Sequence, residues 1–104
     1  MKLTDRQRTV LKAVKDLECV PFKYKNEKDR DCFIDISKEP SLLGNLYFTI
    51  TVRSLFSKGL LCDSSIKTEC KVKCLIDGIK AIKIMHGFKS TITPLGIQIL
   101  KGEV

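Results

Sequence analysis

The chemistry open to this chain of 104 residues starts from five cysteines, Cys19, Cys32, Cys62, Cys70 and Cys74, and a single histidine, His86. Cys62, Cys70, Cys74 and His86 number four, as a zinc site requires. Structural zinc sites, however, start from cysteine pairs two to four residues apart in a turn or knuckle. Cys70 and Cys74 fall in a segment that alternates like a strand, where four steps separate them by roughly 13 Å. One ion cannot hold both, so the expectation is no metal and buried thiols acting as small hydrophobes. An odd cysteine count without a secretion signal predicts reduced thiols in a cytoplasm. His86 stands beside Gly87 at the end of a hairpin, and its position predicts a surface or packing role. Nucleophile elbow, phosphate loop and His-x-x-x-His pair are all missing, and the acids are scattered among lysines. The sequence therefore predicts neither an enzyme nor a cofactor.

Charge points elsewhere. Lysine and arginine number 19 against 12 acids, a formal net charge of +7. On so small a body that surplus favours polyanions, because cations that neutralise phosphates release condensed counterions. Lys67, Lys71, Lys73, Lys80 and Lys83 fall within one stretch. Apolar residues make up 43%, enough for one packed core, and the length predicts a single domain over residues 1–104. Met1 to Lys15 is charged and periodic, unlike a signal peptide, and no apolar run approaches membrane-spanning length.

These side chains need elements to position them. Thr4 with Gln7 is a capping box, Asp5 suits the first turn, and Val10, Leu11, Val14 and Leu17 share one face. A helix is predicted from Asp5 to Leu17 or Glu18. The densely charged stretch from Val20 to Asp31 reads as a surface loop, with Lys23, Lys25 and Lys28 diluted by Glu27, Asp29 and Asp31. Cys32 to Ile36 alternates as a short strand. Ser37 offers an N-cap for a short second helix carrying Glu39, Leu42 and Leu43 and closed by Gly44-Asn45. A third helix is predicted over residues 46–58, with Gly59 as its stop and Phe48, Val52 and Leu55 facing inward. That leaves Asn45, Tyr47, Thr49, Ile50, Arg53 and Ser57 outward or on the flanks. The β-branched run from Thr49 to Val52 makes a strand the rival reading there.

Residues 66–85 form a predicted hairpin around Asp77-Gly78. A two-residue turn sets Cys70, Val72 and Cys74 on a face with Ala81, Lys83 and Met85. A three-residue loop instead pairs that row with Lys80, Ile82 and Ile84, and gathers Lys71, Lys73 and Lys83 opposite. The second register segregates better and is the one predicted. Thr93 and Pro94 then open a short terminal helix.

The order helix, strand, helix, turn, helix, hairpin, helix resembles the winged-helix variant of helix-turn-helix, an α+β fold. The segment from Thr51 to Leu61, with its Lys58-Gly59-Leu60-Leu61 stop, resembles the end of a winged-helix recognition helix. Thr93-Pro94-Leu95-Gly96 with Leu100 is similar to the segment after the wing in MarR-like and PadR-like regulators. Leu3-Thr4 with Gln7, Val10 and Leu11 is similar to their opening.

The resemblance implies a DNA-binding transcriptional regulator, with residues 46–58 in the major groove of double-stranded DNA and the hairpin as wing on the phosphate backbone. The groove residues it implies are Asn45, Tyr47, Thr49, Ile50, Arg53, Ser54 and Ser57. Arg53, a planar fork, would read guanine or grip a phosphate, and Ile50 would meet a thymine methyl or pack in the core. Lys67, Lys71, Lys73, Lys80 and Lys83 would supply affinity from the wing. Those regulators usually carry further dimerisation helices or a sensing domain, which the resemblance does not extend to in these 104 residues, so neither dimerisation nor inducer binding is expected from it. The alternative function is a protein-interaction module, an adaptor or inhibitor, docking on an acidic partner or a second copy.

Overall fold

The computed structural model describes residues 2–37, 41–42 and 46–102. The first helix, α1 (Asp5–Lys15), starts as its capping box requires: Thr4 Oγ1 accepts the Gln7 N–H at 3.1 Å and Gln7 Oε1 accepts the Thr4 N–H at 3.0 Å. Next come β1 (Pro21–Lys25), β2 (Asp31–Asp35) and β3 (Ser41–Leu42), then α2 (Leu46–Ser57), β4 (Leu61–Ile76), β5 (Ile79–Ile92) and α3 (Pro94–Leu100). The strands make one sheet in the order β2-β1-β5-β4-β3, antiparallel except for a two-residue parallel bridge between β3 and β4.

This is not a winged helix. The stretch expected to be a surface loop forms β1 and the turn into β2, because Phe22 and Tyr24 alternate with lysines and bury one row against the sheet. Of the expected second helix, Ser41 and Leu42 lie in β3; residues 38–40 and 43–45 are outside the described residues. The described chain thus has three helices, and a β-hairpin separates the first two. The expected wing runs instead through the middle of the five-stranded sheet.

Two cores stabilise the fold. The first gathers Leu11 and Val14 of α1, Val52 and Leu55 of α2, and Ile99 of α3 around Leu60 and Leu61. Phe33 of β2 joins it, its ring 5.2 Å from that of Phe56. The second holds Phe22, Ile34, Ile36, Cys70 and Val72, all on one face of the sheet. β2 and β3 are opposite edges of that sheet, yet they come into contact, so the sheet curls around this second core. The curl brings β1 very close to β5 at Gly87. A Cβ there would lie 2.0 Å from the Lys23 carbonyl oxygen and 2.8 Å from the Phe22 ring, so only glycine fits.

The α2 helix forms where predicted, with Val52 and Leu55 fully buried. Tertiary packing outweighs its β-branched composition. Its other face has a structural task. Thr49 Oγ1 accepts the Phe33 N–H at 3.2 Å and donates to the Phe33 carbonyl at 3.1 Å. The Arg53 guanidinium donates to the Asp31 carbonyl from Nε at 3.1 Å and from its terminal nitrogen. β2 is an edge strand, and α2 covers that edge by satisfying polar groups its sheet neighbour leaves open.

β4 and β5 form a long ribbon, and the molecule measures 49 Å along its principal axis against 25 Å across. Ile76 pairs with Ile79, leaving a two-residue turn in which Asp77 (φ 52°) and Gly78 (φ 76°) are both left-handed. This is the type I′ geometry matching the right-handed twist of the strands. The register is therefore Cys70↔Met85, Val72↔Lys83 and Cys74↔Ala81, the arrangement not preferred from the sequence. The turn's own geometry outweighs the tidier segregation of the three-residue alternative. At the C-terminus, Thr93 caps α3 by accepting the Gly96 N–H at 3.1 Å.

Candidate functional site

The observed register decides which side chains share a face of the β4–β5 ribbon. Lys71 stands opposite Ile84 and Lys73 opposite Ile82, with Lys80 following on the same face near the turn. Lys71 and Lys73 are about 7 Å apart, two residues along a strand. Nearer the body, Glu69 pairs with His86, whose Nδ1 is 3.5 Å from the Glu69 carboxylate, and Lys67 pairs with Phe88. Ile82 and Ile84 are 63% and 56% exposed, so this face is a chequer of cations and uncovered aliphatic groups. The turn adds Ile76 and Ile79, also exposed. From Cys70 to Met85 the chain carries four lysines and one acid, Asp77. None of these lysines forms an ion pair with a described residue.

Lys83 does not join Lys71 and Lys73 as expected; it lies opposite Val72 on the other face. There it lines a cleft of about 670 Å³ between β5 and the β1–β2 turn, together with Tyr24, Lys25, Lys28, Arg30 and Met85. Lys25 is already paired with Asp31 at 2.8 Å. The lysine beside Asp31 holds that carboxyl below its ordinary range, and the hydrogen bond to Asp31 raises Lys25. Lys28 and Arg30 remain exposed. From the sequence this basic cluster reads as a diluted surface loop; the alternation of Phe22 and Tyr24 is the signal that it belongs to a hairpin.

The residues expected to read DNA from the helix fare differently. Thr49 is buried and holds the β2 edge, so it does not face a groove. Ser54 is half-buried, donates to the Thr51 carbonyl and accepts from Gln7 Nε2 at 2.9 Å. Arg53 is exposed but its fork is engaged with the Asp31 carbonyl. Tyr47 is exposed, with the Arg6 guanidinium 5.3 Å from its ring centre. Ile50 is 52% exposed, which removes it from the core, and Ser57 is exposed too. Asn45 lies outside the described residues. The helix thus offers a mostly neutral outer face whose single cation is occupied. The isoleucines beside the ribbon lysines were missed, because the preferred register faced them toward the cysteine row.

The five cysteines are free. Burial, helped by Asp35, pushes the Cys19 thiol up to about 12. Among the described residues, no three of His, Cys, Asp and Glu come together as a metal site would need, and no helix is long and apolar enough to cross a membrane. Comparison with protein-family models, curated proteins and solved structures finds no match, so the functional reading rests on the geometry above.

Proposed function

We propose that this protein binds double-stranded DNA as a regulator, with the β4–β5 ribbon as its contact element. The observation that carries this reading is the ribbon face on which Lys71, Lys73 and Lys80 flank exposed Ile82 and Ile84. A major groove about 12 Å wide admits a two-stranded ribbon as readily as a helix, and beyond the β3 bridge at Val72 and Lys73 the described residues of β4 and β5 form one. Lysines on the face and at Lys67 reach phosphates and supply salt-dependent affinity. The isoleucines supply apolar contact of the kind a thymine methyl accepts. Lys83, Lys28 and Arg30 on the other face extend the same field toward the flanking backbone. Five free thiols accord with a reducing cytoplasm.

The test is binding to a random duplex over a range of salt. With about four phosphates neutralised, affinity should fall about a hundredfold between roughly 50 and 200 mM salt. Replacing Lys71 and Lys73 by Gln should flatten the log–log slope by about 1.8. Binding that is absent, or indifferent to salt, would sink the proposal. It would favour the second reading, in which the exposed isoleucines Ile76, Ile79, Ile82 and Ile84 dock on an acidic protein.

A further inference from the structure

The C-terminal end of α1 closes in a Schellman turn, with Glu18 N–H donating to the Ala13 carbonyl at 2.8 Å and Leu17 N–H to that of Val14 at 3.2 Å. The left-handed position of such a turn ordinarily belongs to glycine. Here it is Leu17, with φ 60° and a side chain 80% exposed. Neither backbone nor burial rewards a leucine there. Opposite it the β4–β5 ladder breaks: Asp63 pairs with Ser90 and Lys67 with Phe88, so residues 64–66 bulge against Lys89 alone. That bulge contains a second left-handed residue, Ser65 (φ 62°), and exposes Ile66. Strained backbone and uncovered apolar groups meeting at one place point to a binding site.

Between the two lips is a cleft of about 380 Å³, within the roughly 300–1,000 Å³ of small-molecule sites. Val14, Leu17, Val20, Ile66 and Ile92 make its apolar wall. Ser64 and Ser90 are also in the wall. Their hydroxyls are shielded from solvent and have no hydrogen-bond partner among the described residues, and Ser90 is buried. Lys15 and Lys89 supply the charge, and no acidic residue lines the cleft.

We infer that this cleft binds an amphipathic carboxylate. The alkyl or aryl body lies between Leu17 and Ile66, and the carboxylate is taken by Lys15 and Lys89, toward which the shielded serine hydroxyls rotate to donate. An amine of the same length meets two cations and no acceptor of opposite charge, so the head group decides binding.

Octanoate, octanol and octyltrimethylammonium, titrated against the full chain by amide NMR, test this independently of DNA binding. Octanoate should shift residues 14–20, 64–68 and 89–92 and bind about tenfold tighter than either of the others, as one charge-assisted hydrogen bond implies. Leu17→Gly should raise thermal stability, because glycine relaxes the turn, while weakening octanoate about tenfold. Ser90→Ala should narrow the preference for octanoate over octanol. Equal affinity for the three head groups, shifts elsewhere in the chain, or a stabilised Leu17→Gly variant that binds octanoate undiminished would each overturn the assignment.

Discussion

Replacing Thr49 by Val isolates the edge-covering role of α2. The side chains are nearly the same shape and equally β-branched, so packing and helix preference hardly change. What disappears is one hydroxyl that accepts the Phe33 N–H at 3.2 Å and donates to the Phe33 carbonyl at 3.1 Å. Thr49 is only 5% exposed and Phe33 3%, so water does not readily replace it. Each backbone group left unpaired costs about 1–2 kcal/mol, at the lower end of the usual range because each can relax toward solvent at the sheet edge, and the pair together about 2–4 kcal/mol. For a domain of this size the melting temperature should drop by about 10–20 °C. Urea unfolding followed by far-UV circular dichroism measures the difference, with Arg53→Ala as companion. Arg53 serves the same edge from an exposed position, where water substitutes, and should cost less than about 1 kcal/mol. At a temperature where both variants are folded, both should bind duplex DNA like the parent. A Thr49→Val loss below about 0.5 kcal/mol, or a drop in DNA affinity for folded Arg53→Ala, would refute the view that α2 covers an edge instead of reading a groove.

Gly87→Ala should be among the most damaging single-methyl changes in this chain. Its Cβ would sit 2.0 Å from a backbone oxygen of β1, and separating β1 from β5 should cost about 3 kcal/mol or more in chemical denaturation. In the folded protein near pH 8, Cys62 should react with a thiol reagent while Cys19, its thiol pushed up to about 12, stays protected until the chain unfolds. The same shift carries a pH dependence. Unfolded Cys19 ionises near 9.0 and the folded thiol near 12, so its contribution is complete below about pH 9 and lost as pH rises through that window. The same dependence of stability on pH across that window in the parent and in Cys19→Ala would contradict this.

Much of the local structure is written in short-range signals. Thr4 with Gln7, Thr93 with Pro94, and the inward row of Val52 and Leu55 each depend on a few neighbouring residues, and each element forms there. β1 escaped because five charged residues in a row after Lys25 outweighed the two-step alternation of Phe22 and Tyr24. The ribbon register escaped for a different reason: segregating apolar from charged groups is a rule for sheets with one wet face. Near the turn, Ile76 and Ile79 on one face and Ile82 and Ile84 on the other are all exposed, so segregation has little hold there and Asp77-Gly78 decides the pairing. From the sequence Thr49 and Arg53 read as groove residues, because they sit on the outer arc of α2. Only the sheet order reveals that an edge strand lies against that arc, and sheet order is a long-range property. The lysines were visible from composition, whereas the isoleucines beside them became part of the site only with the register.

The ribbon's freedom at its sides has a cost in colloidal behaviour. β1 meets β5 only at Lys89 and Phe88, and β3 meets β4 only at Val72 and Lys73. Further toward the turn, among the described residues, the outer margin of β5 has no strand partner and carries a run of isoleucines, the makings of strand-by-strand polymerisation. Lys71, Lys73, Lys80 and Lys83 act there as gatekeepers, repelling a second ribbon of the same sign. The lysines proposed to meet nucleic acid therefore have a second use, keeping the molecule from pairing with itself, that stands whether or not it binds DNA.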